Sequence, residues 1–374
     1  MKICLIGPTW PFRGGIAHYT TLLCKHLRKT HDVKFYAFKR QYPTWLFPGK
    51  TDKDISRITI TEDETENILD SLNPLTWWKV FRKVSKHNPD LLIFPWWVSF
   101  WAPQFWTISV LVKIFTNTKI LFICHNVVAH ESDALDKICT RSVLKRGDFF
   151  IVHSKEDFQN LKRMLPSAIV KTSFHPTYEI FNFKSVDKEE ARKKLKLEGK
   201  ILLFFGFIRP YKGLNYLINA MSLILRELDV TLLVVGEFWK GKENYLRQIE
   251  DLQLIDKVKI IDEYVPNEEV GVYFSSADLV VLPYISATQS GIAQIAFGFN
   301  KPVVTTNVGG ISEAVENNKT GFIVNAGDSR ALADAIISFY EDSKEGEFKK
   351  NIIKGKDKFS WDRMVEVIES FGAE

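Results

Sequence analysis

The chain has 374 residues, 45% of them apolar and 25% charged, the balance of a globular protein with enough length for two cores of ordinary size. A net charge of +5 is too diffuse for a nucleic-acid surface; it suits an anionic small molecule or a weak attraction to acidic lipid. Cys4, Cys24, Cys124 and Cys139 show neither CxxC pairing nor metal spacing and read as reduced thiols of a cytosolic protein, and no window offers the ~20 uncharged apolar residues of a membrane span.

Lys2 to Ile6 reads as a short buried strand, because the apolar run in MKICLIGPTW is too short for a signal peptide. The loop Thr9 to Gly15 leads into a helix from Ile16 to Lys29, with Ile16, Tyr19, Leu22, Leu23 and Leu27 at helical spacing. Strand Val33 to Phe38 completes a β-loop-α-β opening of Rossmann-like layout, although its glycines do not spell GxGxxG. Gly14 and Gly15 either let a ligand approach the backbone or only shape the turn. Arg40 to Glu66 reads as irregular, with Pro43, Pro48 and Gly49 in it.

Pro74 to Lys86 has helical spacing, with Trp77, Trp78, Phe81 and Val84 set against Lys79, Arg82, Lys83 and Lys86. Strand Leu91 to Pro95 and a run holding Trp96, Trp97, Trp101 and Trp106 follow. Such a region fits a peripheral membrane patch, a greasy acceptor groove or simply an aromatic core. Phe105 to Phe115 is apolar but short, and Lys113 interrupts it. Lys119 to Cys124 is another buried strand, and His125 stands at its carboxyl end, where ligands collect in open α/β sheets. A structural role for His125 is equally open. His130 and Glu131 follow in the loop; then helix Asp133 to Lys145, strand Phe149 to His153 and helix Lys155 to Met164 continue the alternation.

SFHPTYEIFNF, Ser173 to Phe183, breaks the pattern and is taken as the domain boundary, giving 1–180 and 181–355, with 356–374 as a closing helical segment. The second series opens with helix Lys188 to Leu197 and strand Lys200 to Phe205. The strand runs into Gly206-Phe207-Ile208-Arg209-Pro210-Tyr211-Lys212-Gly213, ahead of a helix from Leu214 to Leu225. Two cations at a glycine-flanked strand–helix joint can neutralise a diphosphate. Strand Val230 to Val235 ends in Gly236-Glu237, whose carboxylate could accept from a ribose or base, or cap the loop. Further on, a strand ending in Val280 to Leu282 stops at Pro283, followed by the polar loop Ile285 to Gly291 and an apolar helix from Ile292 to Phe299. Unpaired N–H groups at such a helix start form an anion site. The tail, Trp361 to Phe371, carries Trp361, Met364, Val365, Ile368 and Phe371 at helical spacing.

PTWPFRGGIAHYTTLL, ICHNV, FFGFIRPYKGLNYLINA, VVGE, SSADLVVLPY, KPVVTTNVGGISEAVENNKTGFIV and FSWDRMVEVI occur in this order over nearly the whole chain. Together they resemble the retaining family-4 glycosyltransferases. The resemblance implies an α/β chain of the GT-B fold, two facing Rossmann-like α/β/α domains with an interdomain cleft. It implies transfer of a sugar from a nucleotide-diphosphate sugar to a hydroxyl of a glycan or lipid-linked acceptor, without metal or cofactor, in surface polysaccharide or glycoconjugate biosynthesis; the expected location is cytoplasmic, with attachment to the inner face of the membrane left open. Carried onto this chain, Gly14 and Gly15 lie against the donor phosphates and His125 reaches the donor sugar. Arg209 and Lys212 stabilise the departing diphosphate, and Glu237 approaches the nucleoside. Thr288 and Gln289 line the donor loop, while the backbone of Ser290, Gly291 and Ile292 holds phosphate and sugar oxygens. The final helix is expected to cross back to the first domain.

Two positions depart from the pattern. The family carries two glutamates in the donor loop, the later one on the ribose hydroxyls, and alignment on Lys301-Pro302 puts Thr288 and Ile295 there. Isoleucine accepts no hydrogen bond, so Thr288, Gln289 or Glu237 takes over, or the nucleotide sits differently, or activity is lost. A sugar-nucleotide epimerase of the same fold and a catalytically silent GT-B binding protein are the alternatives to an active transferase.

Overall fold

The computed structural model describes residues 1–43, 51–128, 134–183 and 186–372; Pro48, Gly49, His130 and Glu131 lie outside them. The chain forms two compact units, one of Met1–Ile55, Thr59–Phe174 and Trp361–Glu374, the other of Ser56–Ile58 and His175–Ser360.

The first unit runs β1 (Lys2–Gly7), α1 (Gly15–Leu27), β2 (Asp32–Arg40), β3 (Thr65–Asp70), α2 (Pro74–His87), β4 (Leu91–Trp96), α3 (Ala102–Phe115), β5 (Lys119–Cys124), α4 (Ala134–Leu144), β6 (Phe149–Val152), α5 (Lys155–Met164) and β7 (Ile169–Thr172). Its strands lie in the order β3-β2-β1-β4-β5-β6-β7, every pair parallel. A parallel sheet covered on both faces needs apolar side chains on both, which is why LLIFPW and KILFIC read as near-continuous apolar runs. Phe94, Phe122 and Phe150 occupy matching positions of β4, β5 and β6, and their rings stack in a row at 5.3 and 6.1 Å. Trp101 and Phe105 close over this row from the α3 side.

The second unit runs α6 (Lys188–Leu195), β8 (Lys200–Phe205), α7 (Leu214–Ile224), β9 (Val230–Val235), α8 (Lys242–Asp251), β10 (Val258–Ile261), α9 (Asn267–Ser276), β11 (Leu279–Leu282), α10 (Gly291–Gly298), β12 (Val303–Thr306), α11 (Ile311–Ala314), β13 (Gly321–Val324), α12 (Ser329–Glu341) and α13 (Glu345–Lys354). Its parallel sheet has the order β10-β9-β8-β11-β12-β13. The last helix, α14 (Trp361–Glu369), packs on α1 of the first unit.

Several elements differ from the sequence reading. Within and beyond the stretch taken as irregular lies β3, TENILD, an edge strand with register shifts against β2 and Leu69 as its one fully buried side chain. The apolar run judged only against membrane length is α3, whose Phe105, Ile108 and Val112 are buried. β7 and α13 were not anticipated; β7 buries none of its four residues fully. Among the described residues no helix is long and apolar enough to cross a membrane.

Candidate functional site

In each sheet the strand order reverses beside the first strand of its series. The reversal falls between β1 and β4 in the first unit and between β8 and β11 in the second. Loops leaving the two central strands on their carboxyl side diverge there and open a crevice. The loop after β8 holds Arg209 and Lys212, and the loop after β11 holds Thr288, Gln289 and Ser290. These sequence-selected residues of the second unit are therefore brought to one switch point by topology.

The loop after β8 is tightly built. Gly206 and Gly236 end adjacent strands at φ +99° and +146°, and a Cβ on Gly236 would stand 2.1 Å from the Gly206 carbonyl oxygen. The Ile208 N–H donates to the Glu237 carbonyl at 2.9 Å, continuing the pairing of β8 and β9 past the strands. A single 3-10 turn, Pro210–Lys212, then delivers the chain to α7 through Gly213. Gly213 has φ +69°, and a Cβ there would stand 2.0 Å from the Pro283 carbonyl oxygen, so only glycine fits. The Ile285 N–H donates to the Tyr211 carbonyl at 2.8 Å, fixing the β11 loop to the β8 loop.

Lys212 is the unusual group. Its side chain is buried, with Nζ about where a Gly206 side chain would reach (3.1 Å from an added Cβ) and 5.6 Å from the Tyr284 ring centre. Among the described residues it has no carboxylate partner. Burial first, and the nearby Arg209 charge second, pull its pKa down from 10.5 to about 7. A buried amine that lacks a counter-ion is costly unless an anion arrives to pair with it. The Arg209 guanidinium lies 4.7 Å from the Trp239 ring and 5.0 Å from the Tyr211 ring, which hold it by cation–π contact.

α10 starts beside this pair. Ser290 occupies its N-cap position and makes no side-chain cap bond, while its hydroxyl lies 3.4 Å from the Tyr284 hydroxyl. Ile292 on the first turn lies against Gly206, with Cδ1 3.2 Å from the added Cβ, so the start of the helix adjoins the lysine's loop. Thr288 is buried and its carbonyl accepts from the Gly310 N–H at 2.8 Å, which holds the loop against the start of α11. Glu237 is buried as well. Ile295, one turn beyond Ile292, is buried and supplies no polar group. A separate recess of about 880 Å³ lies at the amino ends of β8, β9 and β10, lined by Arg192, Lys196, Lys257 and Lys259 among others; it shares no residue with Lys212's surroundings.

In the first unit, Gly14 and Gly15 precede and open α1. Gly14 has φ +109°, which its turn requires; Gly15 has no such need, and a Cβ on either would meet nothing within 4 Å. His125 follows β5, buried, its N–H donating to the Trp96 carbonyl at 2.8 Å. Its ring meets Tyr19 edge-on at 4.4 Å and His153 at 5.1 Å.

The sequence reading passed over several residues of these sites. His153 follows β6 as His125 follows β5, so the strand-end position that singled out one histidine applied to both. Trp239 and Tyr284, the aromatic partners of the cations, carry no motif of their own. His18 lies 3.8 Å from the buried Asp54, a pairing made by a long loop that spacing could not show. Among the described residues no group of three or more His, Cys, Asp or Glu is placed to hold a metal ion.

Residues 186–359 match the family described as glycosyl transferases group 1. Over 226 residues the chain is 26% identical to the D-inositol 3-phosphate glycosyltransferase of Corynebacterium glutamicum (strain R), a match covering 57% of this chain and 54% of that protein. The chain thus spans about half the length of the inositol-phosphate transferases it resembles. With spore coat protein SA of Bacillus subtilis (strain 168) it shares 24% identity over 407 residues, 98% of this chain and 97% of that one. Among solved structures, HepE of Anabaena in complex with UDP-glucose superposes with a TM-score of 0.76 at 18% identity, covering 100% of both chains. At that identity the likeness is one of fold.

Proposed function

We propose that this chain, a GT-B-fold protein related to the family-4 glycosyltransferases, moves a sugar from a nucleotide-diphosphate sugar to a hydroxyl of a glycan or lipid-linked acceptor, with retention at the anomeric carbon. The observation that carries the reading is Lys212: a buried amine without a carboxylate partner among the described residues, beside Arg209 and the start of α10, at the switch point of a parallel sheet. That arrangement waits for a dianion. Its chemical shape fits a leaving diphosphate, on which negative charge grows as the bond to the sugar breaks; fixed cations and helix N–H groups stabilise that charge without reorganising. The match of residues 186–359 to the group 1 glycosyl transferases supports the same assignment, and so does the nucleotide sugar named with HepE.

On this reading Arg209 and Lys212 hold the diphosphate, with the backbone of Ser290, Gly291 and Ile292 completing its contacts. Gly14 and Gly15 lie against the phosphates, His125 reaches the sugar, and Glu237, Thr288 and Gln289 serve the nucleoside and donor loop in place of a glutamate at Ile295. The acceptor attacks the face that the diphosphate leaves, and the departing phosphate takes its proton. No metal enters this scheme. A glycosyl adduct trapped on an Asp or Glu would replace same-face attack with double displacement.

The test is nucleotide release and thermal shift across a panel of nucleotide-diphosphate sugars, with and without a membrane extract as acceptor. Release from one donor supports the transferase. No release and no shift with any nucleotide would leave the silent binding protein, which the apolar Ile295 favours.

The acceptor's lipid, on the same reading, brings the enzyme to an anionic membrane surface through α2 and the end of α3. Leu75 and Trp78 of α2 are 79% and 47% exposed, Ile114 and Phe115 close the α3 end, and Lys79, Arg82 and Lys86 are exposed alongside. Phe81 takes no part, because it is only 4% exposed and packs between Trp78 and Phe115.

A further inference from the structure

His125 reaches a donor only if its ring is held in one orientation, and its own backbone does not do this. The N–H bond to Trp96 fixes the main chain and leaves the side-chain torsions to whatever surrounds the ring. Aromatic rings flank it. Tyr19, from the second turn of α1, presents an edge at 4.4 Å and 87°. His153, at the equivalent place on the neighbouring strand, lies at 5.1 Å and 42°. The His153 ring is pinned in turn, since its Nδ1 lies 2.8 Å from the Ser173 carbonyl oxygen, an acceptor only. Nδ1 therefore carries the proton; burial lowers the His153 pKa to about 4, so the ring is neutral and in one tautomer at neutral pH.

Tyr19 is held from behind by the far end of the chain. Trp361, the first residue of α14, stands 5.1 Å from the Tyr19 ring and stacks on His26 at 5.5 Å and 21°. The neighbouring Asp362 carboxylate accepts from the Lys29 ammonium at 3.1 Å and lies 3.4 Å from His26 Nδ1, seating the helix start on α1. Tyr19, Trp361, His125 and His153 are all buried.

We propose that Trp361, acting through Tyr19, is a positioning residue for His125, so that the seated C-terminal helix is part of the apparatus that aims the histidine at the donor sugar. The inference rests on the assignment of His125 made above, but its decisive measurement does not. Histidine labelled at Cε1 gives one resonance per ring, with His125 assigned by loss of its peak in His125→Gln. Trp361→Ala should move and broaden the His125 peak, and Trp361→Phe should restore it. The His26 peak, which Trp361 touches directly, must shift in Trp361→Ala as the control. A shifted His26 peak beside an unmoved His125 peak would overturn the proposal. Should Trp361→Ala not fold, Tyr19→Leu carries the test, since it leaves α14 its own contacts with His26 and Lys29; an unmoved His125 peak there overturns it equally.

With an active donor in hand, Trp361→Ala should lower kcat about tenfold with donor KM changed less than about twofold, as for a misaimed group. An unchanged kcat in a folded Trp361→Ala would also overturn the proposal. If no donor is turned over at all, the transferase reading fails and the resonance measurement still decides this one.

Discussion

Lys212 ties proton uptake to anion binding. With a pKa of about 7 in the unliganded protein, a growing share of the side chain is neutral above that pH. A diphosphate needs the ammonium form, so binding above pH 7 must draw a proton from solution. The affinity for a nucleotide-diphosphate sugar, whose phosphates hold no proton near neutrality, should fall by up to about tenfold per pH unit above pH 7. Lys212→Arg, charged throughout, should flatten that slope, and calorimetry in buffers of different ionisation enthalpy reads the proton directly. A wild-type slope of zero from pH 7 to 9 would show that the amine is not at the anion. Stability moves the opposite way: the unfolded chain keeps the proton up to about pH 10.5 while the folded one has released it, so folding gains from Lys212 as pH rises from about 7 to about 10.5. For catalysis, Lys212→Ala should cost about 10²–10³ in kcat, the loss typical of one oxyanion donor, and a near-wild-type rate would remove its diphosphate role. Arg209 and Lys212 stood out in the sequence because glycines with fixed backbone needs bracket them. Their aromatic partners did not, since Trp239 and Tyr284 acquire their roles only when three strands are laid side by side.

At the level of elements, the buried strands were legible and the edges were not. Strands such as ILLFF and LVVL carry an unbroken apolar signal because both faces are covered. β3 and β7 lie at the two edges of the first sheet and are mostly half-exposed, so TENILD and IVKT carry no unbroken apolar strand signal. α2 was legible as a helix, but which of its rings face outward was not. A four-residue pattern cannot tell Trp78 from Phe81 until α3 is docked, when Phe81 turns inward against Phe115. The exposed face that remains is apolar at Leu75 and Trp78 and basic at Lys79, Arg82 and Lys86. Each basic side chain near an anionic surface contributes about 1 kcal/mol. The protein should float with vesicles containing phosphatidylserine and stay down with zwitterionic ones, and Leu75→Glu with Trp78→Glu should release it. Flotation that ignores those two changes would return this face to ordinary surface.

At the scale of the molecule, the alternation of strands and helices gave two series, and one compact unit passes to the other between Phe174 and His175, inside SFHPTYEIFNF and ahead of the division placed after residue 180. The chain's last helix belongs to the first unit although the whole second unit precedes it, and that membership has a thermodynamic consequence. Trp361, Met364, Val365, Ile368 and Phe371 are buried, with Phe371 stacked on Phe149 at 4.8 Å and Trp361 covering Tyr19. Burying one large apolar side chain stabilises by about 1.5–3 kcal/mol, so five of them rival the ~5–15 kcal/mol that holds a whole domain together. A chain ending at Ser360 should therefore lose or sharply lower the thermal transition of the first unit. The second unit holds Lys212, Arg209 and α10. Its transition should persist and still rise when a nucleoside diphosphate is added, by RT ln(1 + [L]/Kd) in free energy. Calorimetry of the shortened chain with and without the nucleotide separates the outcomes. An undisturbed first transition would mean that α14 is only laid on the surface, and loss of both transitions would mean that the two units do not melt as separate bodies.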